Sequence, residues 1–387
     1  MIRRSIYLHI GTHKTGTSSI QSTLAHNADI LFRAGYLYPE KGRLGELGHH
    51  AVSHEFFHGL HFTEHKGELS AVLDEFDRSG LPNLILSSED FFWYQREQVE
   101  EFIPHLPDDA NVKVIVYLRR QDGLLQSAAI QNFKTMHRRD HIDNWPQFDG
   151  HVGRGKYATY LQPWADAIGV KNVIVRPFER SQLLDGDLLK DFLDAVGIPY
   201  LSGSLKPHQD ENISPGDKTL ALIQKIFEAV PEVAEDPSYP TVGYQRQLLK
   251  QILYYGKYYF ENEKKYNIIT PEIHQSLVEK FQDENEQVAH QYLGRSKLFI
   301  EPYKIRPVTP LSEVHLSEAE IIQALVFAGY RLKALDGKQN AVTVQPQEQS
   351  QEPDDFACIL EDISFSTAVG IVFKKLRHNL ISAIGLK

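Results

Sequence analysis

Residues Ser5 to Ile20 constrain this chain more than any other stretch. Ser5–Ile10 is a short apolar run that reads as a β-strand. Gly11-Thr12-His13-Lys14-Thr15-Gly16 follows as a loop, and Thr17 opens a helical stretch. Glycines let backbone N–H groups close on an anion with no Cβ in the way. A helix N-terminus adds unpaired N–H donors and the positive end of its dipole. Lys14 supplies a charge, and Thr15, Thr17 and Ser18 supply hydroxyls. Together these suit a phosphate group at the carboxyl end of a first strand.

The pattern continues through the first 200 residues. Candidate strands are Ser5–Ile10, Leu84–Ser88, Val112–Leu118 and Asn172–Phe178. Candidate helices fill the gaps, at about Thr17–Phe32, Gly67–Arg78, Asp122–Lys134, Tyr157–Ala167 and Leu188–Val196. Near-continuous apolar strands interleaved with helices predict an α/β fold with a central, mostly parallel sheet covered on both faces. In such sheets ligands bind beyond the carboxyl ends of the strands.

Residues from about 200 to 335 read as mostly helical, over Lys218–Val230, Tyr244–Glu263 and Pro271–Tyr292. Ser317 and Glu320 form a capping-box pattern that starts a further helix, to about Leu335. Residues 345–355 carry no large apolar side chain, so 336–355 is expected to be a disordered linker. Beyond it, in 356–387, Val369, Val372, Leu376, Leu380 and Ile384 share one helical face, with Lys374, Lys375 and Arg377 elsewhere. This amphipathic tail either docks on its own protein or, through 363–387, meets a membrane surface or a partner. The chain shows no internal repeats.

Composition narrows the function. A formal net charge of −10 over 387 residues argues against a protein that coats nucleic acid. One cysteine, Cys358, rules out an internal disulfide framework and any cysteine-built metal site. Ser5–Ile10 is too short for a signal-peptide core, and the 11 residues Ile363–Phe373 are too few to span a bilayer. A soluble, cytoplasmic protein is the expectation.

The loop is not the common nucleoside-triphosphate pattern, which puts lysine after the second glycine. Lys14 stands two residues before Gly16. The order K-[ST]-G-T-[ST] after a first strand instead resembles the 5′-phosphosulfate loop of sulfotransferases that use 3′-phosphoadenosine 5′-phosphosulfate (PAPS). Those enzymes also carry an arginine at the end of a strand and a serine eight residues on. Arg119 and Ser127 match that pair. With Leu86-Ser87-Ser88-Glu89, the motifs resemble a bacterial sulfotransferase family related to the Golgi-type carbohydrate sulfotransferases. The resemblance covers about residues 5–135, continues weakly through 172–177 and 188–197, and does not reach 336–387.

The resemblance implies a P-loop-like three-layer fold over 1–335. It implies PAPS as co-substrate, released as 3′,5′-adenosine bisphosphate, held by Lys14, Thr15, Gly16, Thr17, Ser18, Arg119 and Ser127. The implied acceptor is a hydroxyl, as of a carbohydrate or glycolipid. The small-molecule sulfotransferases add a late R-K-G-like segment; Arg154-Gly155-Lys156 has that chemistry but lies too early to be its counterpart. Arg120 reads equally as a surface charge or an acid-paired one.

Sulfuryl transfer needs a base and a cation for the departing oxygen. Lys14 is the candidate cation. Related enzymes use a histidine or a glutamate as base, and here His50 and Glu89 are the two candidates, with His49 less favoured. His54, His58, His61 and His65 recur on one helical face, yet no cysteine or clear carboxylate completes a set, so no metal is expected. Two other readings stay open. One is a non-catalytic PAPS-fold module that recruits partners. The other is a nucleotide-dependent kinase, which needs the opposite lysine order and a carboxylate for Mg²⁺.

Overall fold

The computed structural model describes residues 4–45, 47–57, 65–134, 153–206, 214–229, 242–304 and 306–336. The predicted linker and amphipathic tail lie outside the described residues, as do His58 and His61. The described residues fall into two compact units. The first holds 4–128, 153–206 and 271–304, and the second holds 129–134, 214–229, 242–270 and 306–336.

In chain order the elements begin with β1 (Ser5–His9), α1 (Thr17–His26), α2 (Ala28–Arg33), β2 (Tyr36–Leu37), α3 (His50–Glu55), α4 (Glu68–Ser79) and β3 (Asn83–Ser87). They continue with α5 (Arg96–Phe102), β4 (Asn111–Leu118), α6 (Gln121–Lys134), α7 (Tyr157–Ile168), β5 (Val173–Pro177) and α8 (Leu188–Val196). The helical remainder comprises α9 (Asp217–Ala229), α10 (Val242–Tyr259), α11 (Pro271–Lys280), α12 (Gln282–Leu293) and α13 (Glu318–Asp336).

The sheet order is β2-β3-β1-β4-β5, and every pairing is parallel. The α/β expectation with a parallel central sheet therefore holds. All four predicted strands form, within a residue at each end. The two-residue β2 is too short to leave a periodic signal.

Strand periodicity divides the first unit's core in two. Ile6, Leu8, Leu84, Leu86, Val114, Val116 and Leu118 join one cluster with Phe76 of α4, Phe102 of α5 and Trp164 of α7. Tyr7, Ile85, Ile115 and Tyr117 face the other way, against Ile20, Leu24, Phe192 and Val196 of α1 and α8. A strand buried on both faces must be apolar at nearly every position, which is why β1 and β4 read as continuous runs.

Two long helices predicted from periodicity are each divided. Thr17–Phe32 breaks at Asn27, whose side-chain amide donates to the Thr23 and Lys206 carbonyls at 2.7 and 3.0 Å. Its Oδ1 accepts from the Lys206 N–H at 3.1 Å. Tertiary hydrogen bonds to a residue 179 positions away leave no local trace. Pro271–Tyr292 likewise divides at Phe281. The stretch around His50, for which the sequence predicts no element, is the short helix α3.

In the second unit α9 and α10 meet closely. A Cβ at Gly256 of α10 would lie 1.8 Å from the Thr219 hydroxyl of α9, so only glycine fits there. The predicted capping box forms at α13: the Ser317 N–H donates to Glu320 Oε2 at 2.8 Å, and the Glu320 N–H to Ser317 Oγ at 3.3 Å. No helix among the described residues is long and apolar enough to cross a membrane.

His9 closes β1 in a fully buried position. Its Nδ1 lies 2.8 Å from Ser87 Oγ, and its Nε2 has no hydrogen-bond partner. Burial drives its pKa down to about 3, so the folded ring is neutral. An unfolded histidine titrates at about 6.5, so the unfolded chain takes up the extra proton between the two values. This contribution to stability is complete above pH ~6.5 and is lost as pH falls, at up to ~1.4 kcal/mol per unit. Urea unfolding of the wild type and a His9→Leu variant at pH 7.5 and 5.0 checks it. The wild type should lose ~2 kcal/mol more than the variant on acidification, and equal losses would refute the assignment.

Candidate functional site

The chain order reverses across β1, with β3 on one side and β4 on the other. A crevice at the carboxyl ends of the strands follows from such a reversal. The loop after β1 is still tied to β4 as it leaves the sheet: the Ile10 N–H donates to the Ile115 carbonyl at 3.0 Å and the Thr12 N–H to Tyr117 at 3.0 Å.

Both loop glycines are sterically required. Gly11 has φ +96°, and a Cβ there would sit 2.8 Å from Glu89 Cβ. Gly16 has φ +80°, caps α1 in the left-handed region, and would place a Cβ 2.4 Å from Leu188 Cδ2. Lys14 also takes a left-handed conformation, with φ +67°. The Thr15 hydroxyl donates inward to the Thr12 carbonyl at 2.6 Å and closes the loop. No side chain caps α1, and within its first turn the Ser19 N–H donates to the Gly16 carbonyl at 3.1 Å.

Arg119 arrives directly after β4. Its Nη1 donates to the Lys14 carbonyl at 2.8 Å, and its guanidinium lies over the Phe178 ring at 5.9 Å. Tyr157 fixes the Arg119 backbone by donating to its carbonyl. Ser127 follows two turns along α6, on the same strand–helix connection. Arg120 turns away into an internal network. Its Nε lies 3.0 Å from Asp122, its Nη1 3.7 Å from Glu179, and Nη1 also donates to the Glu301 carbonyl at 2.8 Å. Arg120 is thus acid-paired.

Glu89 begins the 3-10 turn that follows β3 and packs against Gly11. Gln21 of α1 donates to Glu89 Oε2 at 3.0 Å, and His50 Nε2 lies 3.9 Å from the same oxygen. The two candidate bases are therefore neighbours. The other face of His50 is held, with Nδ1 at 2.9 Å from both Asp90 Oδ2 and Ser88 Oγ. Burial works against a charged His50 ring, but the Asp90 hydrogen bond and the fields of Glu89 and Asp90 outweigh it and raise its pKa. His49 is different. It is buried, its Nδ1 accepts from the Ser87 N–H at 3.1 Å, and its Nε2 lies 3.1 Å from the Pro39 carbonyl. Burial takes its pKa down to about 3, so His49 is a neutral structural group.

Three cations share this edge. Burial is the main cause that lowers the pKa of Lys14, opposed by Glu89 and reinforced by Arg119 and Arg154. Burial also lowers Arg119 and Arg154 below the usual guanidinium range. Arg154 lies over the Trp93 ring at 5.6 Å, and Trp93 meets Tyr160 edge-on at 5.1 Å. His13 meets Trp93 edge-on at 5.7 Å, and its Nε2 lies 3.7 Å from Asp90 Oδ1.

Gln21, Asp90 and His13 are assigned no role by the sequence motifs, and Arg154, set aside there as too early in the chain, stands at this edge. Asp90 and His13 sit beside motif residues and were within reach. Arg154 has no spacing relation to the loop, and only the chain's return after α6 brings it there. Of the predicted histidine face, His54 lies on α3 with its ring 5.7 Å from that of His65. His54 Nε2 is 2.9 Å from Asp90 Oδ2.

No protein-family model matches the chain, and no solved structure matches it. It is similar to an uncharacterized protein of Archaeoglobus fulgidus, at 25% identity over 218 residues, which is 56% of this chain and 55% of the relative. The chain therefore spans about half the length of the curated relative it matches.

The loop geometry yields a stability test. Gly11→Ala combines a left-handed strain of roughly 1–3 kcal/mol with a clash against the Glu89 backbone. Gly80→Ala meets the same kind of strain with open space around the new methyl. Chemical denaturation should show the larger loss at Gly11, and equal losses would mean that the Glu89 contact yields freely.

Proposed function

We propose that the chain transfers a sulfuryl group from PAPS to an acceptor hydroxyl, as of a carbohydrate or glycolipid. The observation that carries this reading is the Arg119–Lys14 hydrogen bond at the carboxyl edge of β1 and β4. Two segments that resemble separate halves of a sulfotransferase cofactor site, 105 positions apart, meet there directly. The strand order β2-β3-β1-β4-β5, with an anion loop after the central strand, supports a P-loop-like reading of the fold.

In this mechanism the loop N–H groups, Gly16, Thr17, Ser18 and the α1 N-terminus hold the 5′-phosphosulfate. Arg119 and Ser127 take the 3′-phosphate, the guanidinium giving a planar fork of charged donors. The acceptor oxygen attacks sulfur in line with the bridging oxygen. As the new O–S bond forms, the bond from sulfur to the bridging oxygen breaks. Its electron pair stays with the 5′-phosphate, where Lys14 stabilises the charge. Glu89 takes the acceptor's proton. It is favoured over His50 because it packs on Gly11 and its field reaches Lys14, whereas His50 stands one layer behind it. Trp93, Tyr160 and Arg154 offer an aromatic, cationic wall that suits a sugar.

The first test is binding and turnover with labelled PAPS. Thermal shift should respond to 3′,5′-adenosine bisphosphate and not to ATP, by ~2.7 kcal/mol at 100 times Kd. A response to ATP alone would favour the kinase reading. Lys14→Ala should lower kcat on the order of 10²–10³-fold, as loss of one preorganised donor does, with a smaller effect on bisphosphate affinity. A normal kcat with a raised KM would reduce Lys14 to a binding charge.

The two 3′-phosphate residues should behave differently. Ser127→Ala should weaken the bisphosphate and spare adenosine 5′-phosphosulfate. Arg119→Ala should weaken both, since it also releases the Lys14 carbonyl. Calorimetry with both ligands decides, and an Arg119→Ala loss confined to the bisphosphate would show that the loop holds its shape alone.

A further inference from the structure

We infer that His50, His54 and Asp90 form a binding site for a divalent transition metal of the zinc class. The ligand atoms of the three residues all lie within 4.8 Å of one another. This inference concerns the layer behind Glu89 and does not depend on the sulfuryl-transfer reading.

The geometry begins in the helix. His50 and His54 are four residues apart on α3, a spacing that sets two imidazoles on one face. The 3-10 turn after β3 brings Asp90 to that face. His50 Nδ1 and His54 Nε2 each lie 2.9 Å from the same oxygen, Asp90 Oδ2. An ion bound at ~2.1 Å separates neighbouring donors by about 3.4 Å in tetrahedral geometry and about 3.0 Å where the ligands stand at right angles. Two of the three donor pairs are thus at 2.9 Å, close to the spacing an ion would impose, and all three ligand atoms lie within 4.8 Å of one another. The carboxylate that the sequence pattern of histidines lacked is supplied by tertiary structure.

The surroundings agree with a metal centre. A ligating histidine commonly presents its second ring nitrogen to a carboxylate, which fixes the tautomer. With Nδ1 on the ion, His50 would carry its hydrogen on Nε2, which faces Glu89 Oε2 at 3.9 Å. Ser88 Oγ lies 2.9 Å from His50 Nδ1 and 2.9 Å from Ser53 Oγ, bracing the helix against the turn. His13 Nε2, 3.7 Å from Asp90 Oδ1, borders the same carboxylate from the loop side. Two imidazoles and one carboxylate favour Zn²⁺, Co²⁺ or Ni²⁺ over Mg²⁺ and Ca²⁺, which prefer all-oxygen shells.

The competing arrangement is a hydrogen-bonded set in which both imidazoles donate to Asp90 with no ion. The experiment uses the full chain, stripped with a chelator and titrated with Co²⁺ by visible absorption and with Zn²⁺ by calorimetry. One tight site per chain is expected, with ligand-field bands of a nitrogen- and oxygen-bound cobalt that Zn²⁺ displaces and Mg²⁺ does not. His54→Ala and Asp90→Asn should each weaken Zn²⁺ by at least about 10- to 100-fold. Asp90→Asn keeps the side-chain shape, and circular dichroism of both variants checks that they fold. Absence of a tight site, affinity unchanged in both folded variants, or displacement by equimolar Mg²⁺ overturns the inference. Because the readout is metal binding alone, a failed sulfuryl-transfer assay leaves this result unaffected.

Discussion

Parallel pairing of β1 on both edges is the constraint on which the site depends. Its backbone is committed to β3 on one side and β4 on the other, and its side chains to a core on each face. A strand held in this way ends at a fixed point. The loop that follows inherits that point, and hydrogen bonds from Ile10 and Thr12 carry the pairing with β4 into the loop itself. Gly11 then packs on Glu89 from β3, and Lys14 is tied to Arg119 from β4. The two neighbours of β1 thus deliver the two groups that flank its loop.

Electrostatics gives this edge its chemical character. Lys14, Arg119 and Arg154 are all drawn below their usual pKa ranges by burial, and Lys14 is further disfavoured by the other two. Cations that are partly desolvated and repel one another are stabilised by an anion between them. Glu89 opposes this at Lys14, yet it also accepts from Gln21 and faces His50. The site is thus cationic toward the loop and carboxylate-rich behind it. Asp90 is held well below the ordinary carboxylate range: burial would raise it, but hydrogen bonds from His50 and His54 dominate. The proposed sulfuryl transfer would draw on both sides, the cations for the departing charge and a carboxylate for the acceptor's proton.

Much of this was legible in the sequence where the physics is local. The strands β1, β3 and β4 declare themselves through near-continuous burial, β5 through its short apolar run, and α13 through Ser317 and Glu320. The loop declares itself because positive φ at Gly11 and Gly16 is a demand on residue type at single positions. The misjudged elements share the opposite property. The break at Asn27 is made by Lys206, and the helix at His50 is stabilised by groups near Ser88 and Asp90.

The same division runs through the candidate site. The sequence alone determined an α/β chain with a glycine-bearing loop after its first strand and an arginine at the end of a later one, and it named His50 and Glu89 as candidates for a base. The strands and the loop follow from short-range rules of strand periodicity, glycine conformation and helix dipoles, whereas the roles of the arginine and the bases are what the resemblance implies. Tertiary structure decided which groups stand together: Arg119 on the Lys14 carbonyl, Glu89 between the loop and His50, Arg154 over Trp93, and two histidines on one oxygen of Asp90. It also separated Arg120 from Arg119 and His49 from His50, pairs of adjacent residues with the same side chain and opposite fates. Adjacent residues point in different directions along the backbone, so their surroundings are set by distant segments that no local pattern contains.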